Sequence, residues 1–214
     1  MTGKAERRGF VLILSAPSGG GKSTLAQHLL EHLDKVCPSV STTTRAPRGQ
    51  ERDGEAYCFV DSETFQNRIE EKAFLEWAEV FGNYYGTSRQ VVEKNLAAGK
   101  DVLLDIDWQG ARQVRLSLPK EDVVSVFIVP PSREELHQRL EGRGHDAPDV
   151  IERRMSKAGA EMSHWREYDY FLVNDDLPRA QENLIHIVLA ERLRRERIGI
   201  KAKALLTSFG IESD

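Results

Sequence analysis

A glycine-rich loop near the beginning of the chain constrains its fold more than any other feature of the sequence. The loop reads Ala16-Pro17-Ser18-Gly19-Gly20-Gly21-Lys22-Ser23, and it follows an apolar run, Phe10–Ser15. Leucines at helical spacing come next, so the segment from Lys22 to about Leu33 is predicted to be a helix. Strand, glycine loop and helix in this order are the context of a P-loop, whose backbone N–H groups surround phosphate oxygens. The loop therefore predicts a site for a nucleoside triphosphate.

Three side chains fit the chemistry of a bound triphosphate. Lys22 would place a cation on the β- and γ-phosphates, and the Ser23 hydroxyl is a ligand for Mg²⁺. Asp105 ends the apolar run VLLD, where P-loop proteins keep the carboxylate that orients Mg²⁺. A strand-end aspartate that only accepts a turn hydrogen bond is the alternative. Ala16 stands where glycine is usual, and alanine fits there if its φ is negative.

Further apolar runs alternate with helical segments along the chain. Continuous apolar runs of this length are typical of strands buried on both faces of a parallel sheet. The helices between them, including one that begins at Ser132 with a capping box to Glu135, would cover both faces. The fold class is therefore α/β, a P-loop core with a parallel sheet flanked by helices. The predicted strands are Phe10–Ser15, Asp101–Ile106, Val123–Val129 and Tyr170–Val173, and a long late helix carries Leu184, Ile185, Val188, Leu189 and Leu193.

Two segments interrupt that alternation. The stretch from Ser39 to Gly99 is interpreted as a mixed α/β lobe inserted between the first two core strands, with helices beginning near Ser62 and Thr87. The charged stretch from Leu140 to Met162, which contains the helix breaker Gly142-Arg143-Gly144, is interpreted as a mobile helical lid. The predicted organisation is core at 1–38, inserted lobe at 39–99, core at 100–138, lid at 139–162, and core with a C-terminal helix at 163–214.

Composition and charge exclude several classes of protein. The 214 residues carry a net charge of −4, without the basic excess of a duplex-binding protein. The basic run from Arg192 to Lys203 is interrupted by Glu196 and is interpreted as a solvated helix face. Cys37 and Cys58 lack metal-ligand spacing and are expected to be reduced. No apolar window is long enough for a membrane span or a signal peptide. We expect a cytoplasmic protein that binds neither nucleic acid nor membranes; its oligomeric state stays open, a homo-oligomer included.

The insert carries the most specific motif of the sequence. From Thr43 to Val60 it reads T-T-R-x-x-R-x-x-E-x-x-G-x-x-Y-x-F-V, which resembles the signature of the guanylate kinase family at every defined position. The resemblance continues in GNYYGTS at 82–88, LDIDWQG at 104–110, EGRG at 141–144 and VNDD at 173–176. It implies a P-loop core with a GMP-binding lobe and a lid, and an enzyme that transfers the γ-phosphoryl group of MgATP to GMP and also to dGMP.

The resemblance also implies roles for individual residues. Those that would hold the GMP phosphate are Arg45, Arg48, Tyr57 and Tyr85, with Glu51 in the same GMP site. Those that would read the guanine are Ser41, Glu76, Thr87 and Asp107. ATP would lie on the loop from Ala16 to Ser23 and on Thr24, with Asn174 and Asp175 near the adenine. Arginines from the lid and its border, namely Arg139, Arg143 and Arg154, would meet the transferring phosphate.

The chemistry of these residue types agrees with the implied reaction. Arginine presents a planar fork of donors to a phosphate dianion. A carboxylate such as Glu76 accepts hydrogen bonds from both N1–H and N2–H₂ of guanine, whereas adenine has an acceptor at N1. A GMP phosphate oxygen is largely ionised near pH 7, because the second pKa of a phosphomonoester is about 6. The transfer therefore needs no dedicated general base.

Several assignments have structural alternatives. Thr87 would be a good N-cap for the next helix, with a capping box to Gln90, and Tyr57 would also suit strand packing. Local sequence alone favours a solvated Glu76. Arg139 and Arg143, four residues apart, would commonly pair with glutamates on a helix surface.

Three other functions compete with the kinase. A guanylate-kinase-like module that only binds proteins would not need Lys22, Ser23 and Asp105. A P-loop kinase with another acceptor would not need the pair of Glu76 and Asp107. A GTPase switch would need an N-K-x-D string, which the sequence lacks.

Overall fold

The computed structural model describes residues 7–142, 147–197 and 199–211. In chain order the strands are β1 Val11–Ser15, β2 Val36–Pro38, β3 Thr42–Thr43, β4 Cys58–Phe59, β5 Phe74–Val80, β6 Asn83–Ser88, β7 Asp101–Asp105, β8 Val123–Val129 and β9 Tyr170–Val173. The helices are α1 Lys22–His32, α2 Ser62–Glu70, α3 Arg89–Ala97, α4 Trp108–Ser117, α5 Arg133–Glu141, α6 Pro148–Met162, α7 Leu177–Arg192 and α8 Gly199–Ser208.

Five strands form a parallel sheet in the order β2-β7-β1-β8-β9. All of β1 and all of β8 are buried, as expected for strands covered on both faces. The four predicted core strands and the α/β class are confirmed. β2 was not predicted from the sequence, because its three residues end in proline and are only partly buried.

Helices cover both faces of this sheet. On one face α1 and α7 pack Leu25, Leu29 and Leu184 against the strands. On the other face α3 and α4 contribute Leu96 and Val114. The parallel strands therefore all end at one edge of a sandwiched sheet, and ligands of open α/β sheets bind outside that edge.

A second sheet, in the order β4-β3-β6-β5, is built from the predicted insert. β5 and β6 form a hairpin whose turn residues Phe81 and Gly82 have φ of 51° and 75°. A positive φ at both positions is typical of the tight type I′ turn that matches the twist of a hairpin. The bounds of this lobe and its function as a separate domain stay predictions.

Helices α5 and α6 pack on each other through a small apolar cluster of their own, which includes Leu136, Leu140, Ile151, Met155 and Ala158. Ser132 caps α5 and accepts a hydrogen bond from the Glu135 backbone N–H at 3.1 Å, as the capping-box pattern predicts. Most of the predicted lid is α6. Its movement stays a prediction.

Two interpretations of local sequence are wrong. Thr87 does not cap α3, because the strand β6 continues through it and Ser88 is the N-cap, whose hydroxyl accepts from the Val91 N–H at 3.5 Å. In α7, Leu189 and Leu193 are 41 % and 73 % exposed, and the helix ends at Arg192. The amphipathic stripe is therefore narrower than the leucine pattern predicted.

The basic run from Arg192 to Lys203 is a solvated surface only in part: Arg194 and Arg195 are exposed, but they lie beyond the end of α7, and two other arginines are not solvated. Arg192 donates to the buried Asp101 carboxylate at 2.8 Å. Arg197 is 4 % exposed, lies 3.2 Å from a Glu191 carboxylate oxygen and covers the ring of Phe10. Both arginines connect the end of α7 and the segment after it to the core, through Asp101 and Phe10. A charge pattern alone does not reveal these contacts.

Cys37 and Cys58 are free and half-buried, as expected. Within the described residues, no helix combines the length and the apolar character that a membrane span requires.

Candidate active site

The phosphate loop joins β1 to α1 at the carboxyl edge of the core sheet. Gly21 is the N-cap of α1 at φ 94°, and no side chain caps the helix, so its first N–H groups remain available to an anion. Gly19 has φ 91°. Both values lie in the left-handed region that favours glycine. Ala16 is not among the described residues with positive φ, which confirms that alanine fits this position.

The loop is braced from the end of β9. Asn174 is 4 % exposed, and its amide donates to the Gly20 carbonyl oxygen at 3.1 Å. A Cβ atom on Gly21 would lie 2.2 Å from the same amide nitrogen. The Asn174 side chain therefore supports the loop directly, whereas Asp175 is exposed and paired with Arg179 at 2.6 Å.

Lys22 and Asp105 face each other across the edge of the sheet. The parallel pairing of β1 with β7 aligns Leu14 with Asp105, and this brings the carboxylate to the start of α1. The Lys22 ammonium forms an ion pair with the Asp105 carboxylate. Asp105 therefore makes more than a turn hydrogen bond, which disfavours the purely structural alternative.

Arg139 reaches the same region from α5. It donates to Glu135 Oε1 at 2.9 Å and to the Asn174 carbonyl oxygen at 2.9 Å. With Thr24, Asn174 and Leu177, it lines a cavity of about 330 Å³ beside the glycines of the phosphate loop. The helix-surface pair with a glutamate exists, and the guanidinium nevertheless lies next to the loop.

Two other lid arginines were predicted. Arg154 is half-buried on α6. Arg143 lies outside the described residues.

A cleft of about 470 Å³ separates the phosphate loop helix from the second sheet. Its walls bring together residues that are distant in sequence. They include Ser23 and Asp105 from the core and Ser41, Tyr57 and Thr87 from the insert. The structure thus places predicted ATP-side and predicted GMP-side residues on one continuous cavity.

Arg45 is a buried cation on the insert side of this cleft. It is 9 % exposed and donates to both Glu51 oxygens at 2.9 and 3.0 Å. The Glu51 hydrogen bond, with a contribution from Tyr85, raises the pKa of Arg45 above its ordinary value. The guanidinium lies 5.2 Å from the centre of the Tyr57 ring. Tyr57 therefore contacts functional groups in addition to packing.

Glu51 also accepts from the backbone N–H of Arg48 at 2.8 Å. The hydrogen bond from Arg45 is the main reason why its pKa lies below the usual range for glutamate. Arg48 itself is exposed. Glu51 thus holds the two arginines of the signature in a fixed relation.

Glu76 lies buried where β5 meets β6. A register irregularity between Phe74 and Glu76 interrupts the strand pairing, and β-bulges of this kind re-aim a side chain. Glu76 is 8 % exposed, and Oε1 accepts from the Thr87 hydroxyl at 2.5 Å. A Cβ on Gly110 would lie 3.3 Å from Oε2, so α4 closes the other side of the carboxylate. The expectation of a solvated glutamate is wrong.

Burial raises the pKa of Glu76, the Thr87 hydrogen bond lowers it, and the nearby Asp107 charge raises it again. Asp107 is the N-cap of α4 and accepts from the N–H groups of Gln109 and Gly110, each at 3.0 Å. Its other carboxylate oxygen accepts no hydrogen bond from the part of the chain that the structure describes. Two carboxylates and a hydroxyl thus converge beside the cleft.

Sequence patterns missed two features of this region. Glu161, at the end of α6, is half-buried, and burial is the main reason why its pKa is raised, while Lys157 and the Ser18 backbone N–H lower it. Trp108 stacks on His164 with ring centres 3.8 Å apart, which links the start of α4 to the segment after α6. Neither carries a local motif; only an alignment of relatives could have indicated them.

Comparison with known proteins agrees with this geometry. The profile of the family described as guanylate kinase matches residues 8–191. A guanylate kinase of Idiomarina loihiensis is 56 % identical over 200 residues, covering 92 % of this chain and 94 % of that protein. One of Salmonella typhimurium is 54 % identical over 204 residues, covering 94 % and 98 %. The crystal structure of guanylate kinase from Anaplasma phagocytophilum matches with a TM-score of 0.71 and 38 % identity, covering 96 % and 97 %.

Proposed function

Because this chain belongs to the guanylate kinase family and is accordingly an ATP:GMP phosphotransferase, we propose that its cleft aligns the two substrates for direct phosphoryl transfer. The observation that carries this proposal is the single cavity of about 470 Å³ that Ser23 and Asp105 share with Ser41, Tyr57 and Thr87. ATP occupies the side of the cavity formed by the phosphate loop, and GMP occupies the side formed by the second sheet. Their phosphates then meet near Lys22.

The insert holds the GMP phosphate. Arg45 supplies a preorganised fork of donors, because Glu51 already fixes its orientation. Arg48, Tyr57 and Tyr85 complete the set of donors. When GMP binds, its phosphate dianion offers Arg45 a second anionic partner beside Glu51.

The guanine lies against Glu76. Its carboxylate accepts from N1–H and N2–H₂, while Thr87 keeps Oε1 in position. Ser41 and the free oxygen of Asp107 contact the remaining edge of the base. Adenine would leave the buried carboxylate facing a lone pair at N1, and a polar mismatch of this kind discriminates by about 10⁴-fold or more. We extend the activity to dGMP, since its base and phosphate are the same.

On the ATP side, the loop from Ala16 to Ser23 and Thr24 surrounds the β- and γ-phosphates. Lys22 leaves Asp105 and neutralises charge at the β,γ-bridge. Arg139 and Arg154 approach the γ-phosphate, and Asn174 supports the loop from behind. The adenine occupies the cavity lined by Arg139, Asn174 and Leu177.

Ser23 and Asp105 fit a Mg²⁺ ion bound together with ATP. Both are hard oxygen donors on the same cleft. No group of three or more His, Cys, Asp or Glu residues in the described part of the chain forms a self-sufficient metal site. This agrees with an ion that keeps waters and phosphate oxygens as its other ligands. When bound, Mg²⁺ would neutralise charge on the transferring phosphate.

In the reaction, an ionised oxygen of the GMP phosphate attacks the γ-phosphorus. A new P–O bond forms, the bond to the β,γ-bridging oxygen breaks, and ADP leaves with GDP as the second product. Because the attacking oxygen is already ionised near neutral pH, no protein group needs to remove a proton. The protein contributes orientation and positive charge.

A coupled assay of ADP release over GMP, dGMP, AMP, CMP and UMP tests this proposal. We expect GMP and dGMP to be the only efficient acceptors. Lys22→Ala should lower kcat by about 10²- to 10³-fold, while Lys94→Ala, at an exposed site on α3, should leave it unchanged. Retention of more than a third of wild-type kcat by a folded Lys22→Ala protein would refute the role of the loop.

A further inference from the structure

The outer strand of the second sheet lies against a helix of the core. Among the described strands β5 pairs only with β6, so its other side presents backbone N–H and C=O groups that need partners elsewhere. Helix α4 covers that side. Leu75 of β5 is 2 % exposed and packs in the same core cluster as Ala111 and Val114 of α4. The insert and the core are therefore joined along this strand.

Gln113 of α4 pairs with Trp77 as a neighbouring strand would. The Trp77 backbone N–H donates to Gln113 Oε1 at 3.0 Å, and Gln113 Nε2 donates to the Trp77 carbonyl oxygen at 3.0 Å. One helical turn later, the Ser117 hydroxyl donates to the Leu75 carbonyl oxygen at 3.0 Å. Three outward backbone groups of β5 thus have their hydrogen-bond partners on one helix.

The two residues held in this way are the neighbours of Glu76. The pairing of β5 with β6 is irregular between Phe74 and Glu76, so the strand register alone fixes this part of β5 less firmly. Successive side chains of a strand point to opposite faces. Hydrogen bonds to the backbone at Leu75 and Trp77 therefore also set the direction of the Glu76 side chain between them.

The same helix carries the second carboxylate of the candidate site. Asp107 is the N-cap of α4, and a Cβ on Gly110 would lie 3.3 Å from Glu76 Oε2. Helix α4 thus carries Asp107 directly and holds Glu76 through Gln113. The spacing of the two carboxylates is set by one helix, although Glu76 belongs to the insert and Asp107 to the core.

We propose that Gln113 is a positioning residue for guanine recognition, which holds the β5 backbone at Trp77 and thereby fixes the Glu76 carboxylate relative to Asp107. This inference rests on the proposed contact of Glu76 with the base. Gln113 acts only through Glu76. A displaced carboxylate loses its alignment with N1–H and N2–H₂ of guanine, because hydrogen bonds weaken steeply when they bend. The contacts of the GMP phosphate with the arginines of the insert stay as they are.

Steady-state kinetics with GMP and AMP at saturating MgATP tests the proposal. Gln113→Met keeps the length of the side chain and its helix propensity but removes both hydrogen bonds. The ratio of kcat/KM for GMP to that for AMP should fall by about 10- to 100-fold. The loss should lie in KM for GMP, with kcat within about threefold of wild type. Gln66→Met, the same substitution at an exposed position of α2, is the control and should behave as wild type.

A purely structural role of Gln113 would lower stability in urea and leave the GMP-to-AMP ratio unchanged, and that result would overturn the proposal. Ser117→Ala removes only the hydrogen bond to Leu75 and serves as the milder variant if Gln113→Met does not fold. Its ratio should fall by about two- to tenfold. A wild-type ratio in the milder variant would then overturn the proposal.

A double-mutant cycle shows whether Gln113 acts through Glu76. In a Glu76→Gln protein, adding Gln113→Met should change the ratio by less than about threefold. Equal effects of Gln113→Met in the two backgrounds would contradict the inference. An equal loss for GMP and AMP in Glu76→Gln alone would instead refute the proposed contact of Glu76 with the base. If Glu76→Gln lowers the ratio and Gln113→Met does not, the proposed function stands and only the role of Gln113 fails.

Discussion

Glu76 has 8 % of its surface exposed, and burial raises the pKa of its carboxylate. A charge in such a place is stable only when donors surround it. Thr87 supplies one donor, and guanine would supply two more. In the proposed function, the Glu76 carboxylate therefore has its full set of hydrogen-bond donors only when guanine is bound.

We predict that Glu76→Gln damages selectivity more than phosphoryl transfer. The amide accepts one guanine donor and turns its NH₂ against the other. The resulting fall in kcat/KM for GMP should correspond to a loss of about 2–4 kcal/mol in transition-state stabilisation. The value of kcat/KM for AMP should not fall, because the amide donates to N1 of adenine. The ratio of the two specificity constants should fall at least about 30-fold.

Steady-state kinetics with both acceptors at saturating MgATP measures this ratio. Glu79→Gln, at an exposed position of the same strand, is the control and should behave as wild type. An equal loss for GMP and AMP would mean that Glu76 supports the lobe instead of reading the base.

Thr87→Val should alter the pH dependence of the reaction. The hydroxyl lowers the pKa of Glu76, so its removal raises that pKa further. Glu76 must be ionised to accept both guanine donors, and kcat/KM reports ionisation of the free enzyme. The acid limb of kcat/KM for GMP should therefore move to higher pH in the variant. GMP titrates identically in both assays, so a limb that does not move would contradict this role of Thr87.

The family resemblance singled out Glu76, but its burial could not be predicted from local sequence. That burial depends on Gly110 at the start of α4, which the fold brings against the carboxylate. The same limit explains Thr87. Its side chain was assigned either to the base or to a helix cap; the strand register opposes it to Glu76 and rules out the cap, while its contact with the base stays a prediction.

At the scale of elements, the phosphate loop is the part that sequence describes best. Its glycines, its lysine and the flanking strand are contiguous, so local pattern suffices. The support behind the loop is not contiguous, because Asn174 reaches Gly20 from the end of β9. A motif predicts the loop; only the assembled sheet reveals what keeps its shape.

Gly21→Ala should disturb both the backbone conformation of the loop and its support by Asn174. A side chain at φ 94° costs about 1–3 kcal/mol, and its Cβ would lie 2.2 Å from the Asn174 amide. We expect a loss of at least about tenfold in kcat/KM for ATP, measured at saturating GMP. Gly159→Ala, in α6 with open space around it, should instead raise stability by up to about 1 kcal/mol. Equal kinetics for both variants would show that the Gly21 conformation is dispensable.

At the scale of the whole molecule, Asp101 ties the far edge of the sheet together. It is fully buried and accepts from Arg7 at 2.7 and 2.8 Å, from Arg192 at 2.8 Å and from the Phe10 N–H at 3.3 Å. The contact joins the beginning of the described chain, β7 and the last turn of α7. It lies at the edge opposite the candidate active site.

Asp101→Ala should therefore reduce stability without changing the chemistry. Two partly buried arginines would lose their carboxylate partner, and breaking a buried pair typically costs about 3–5 kcal/mol. Urea unfolding should show the loss, and kcat per folded molecule should stay near the wild-type value. Glu121→Ala, an exposed carboxylate near the same edge, is the control. A large fall in kcat with intact stability would instead connect Asp101 to the active site.

The order of the strands also affects how the chain folds while the ribosome makes it. Val11 pairs with Val102 and Val123, so β1 waits for partners translated roughly 90 and 110 residues later. At about 5–20 residues per second, the nascent strand stays unpaired for several seconds to about 20 s. Stalled nascent chains should therefore resist proteolysis at β1 only once β8 has emerged. Earlier protection would mean that the insert shelters β1. Until β8 has emerged, the apolar residues of β1 are natural clients for chaperones.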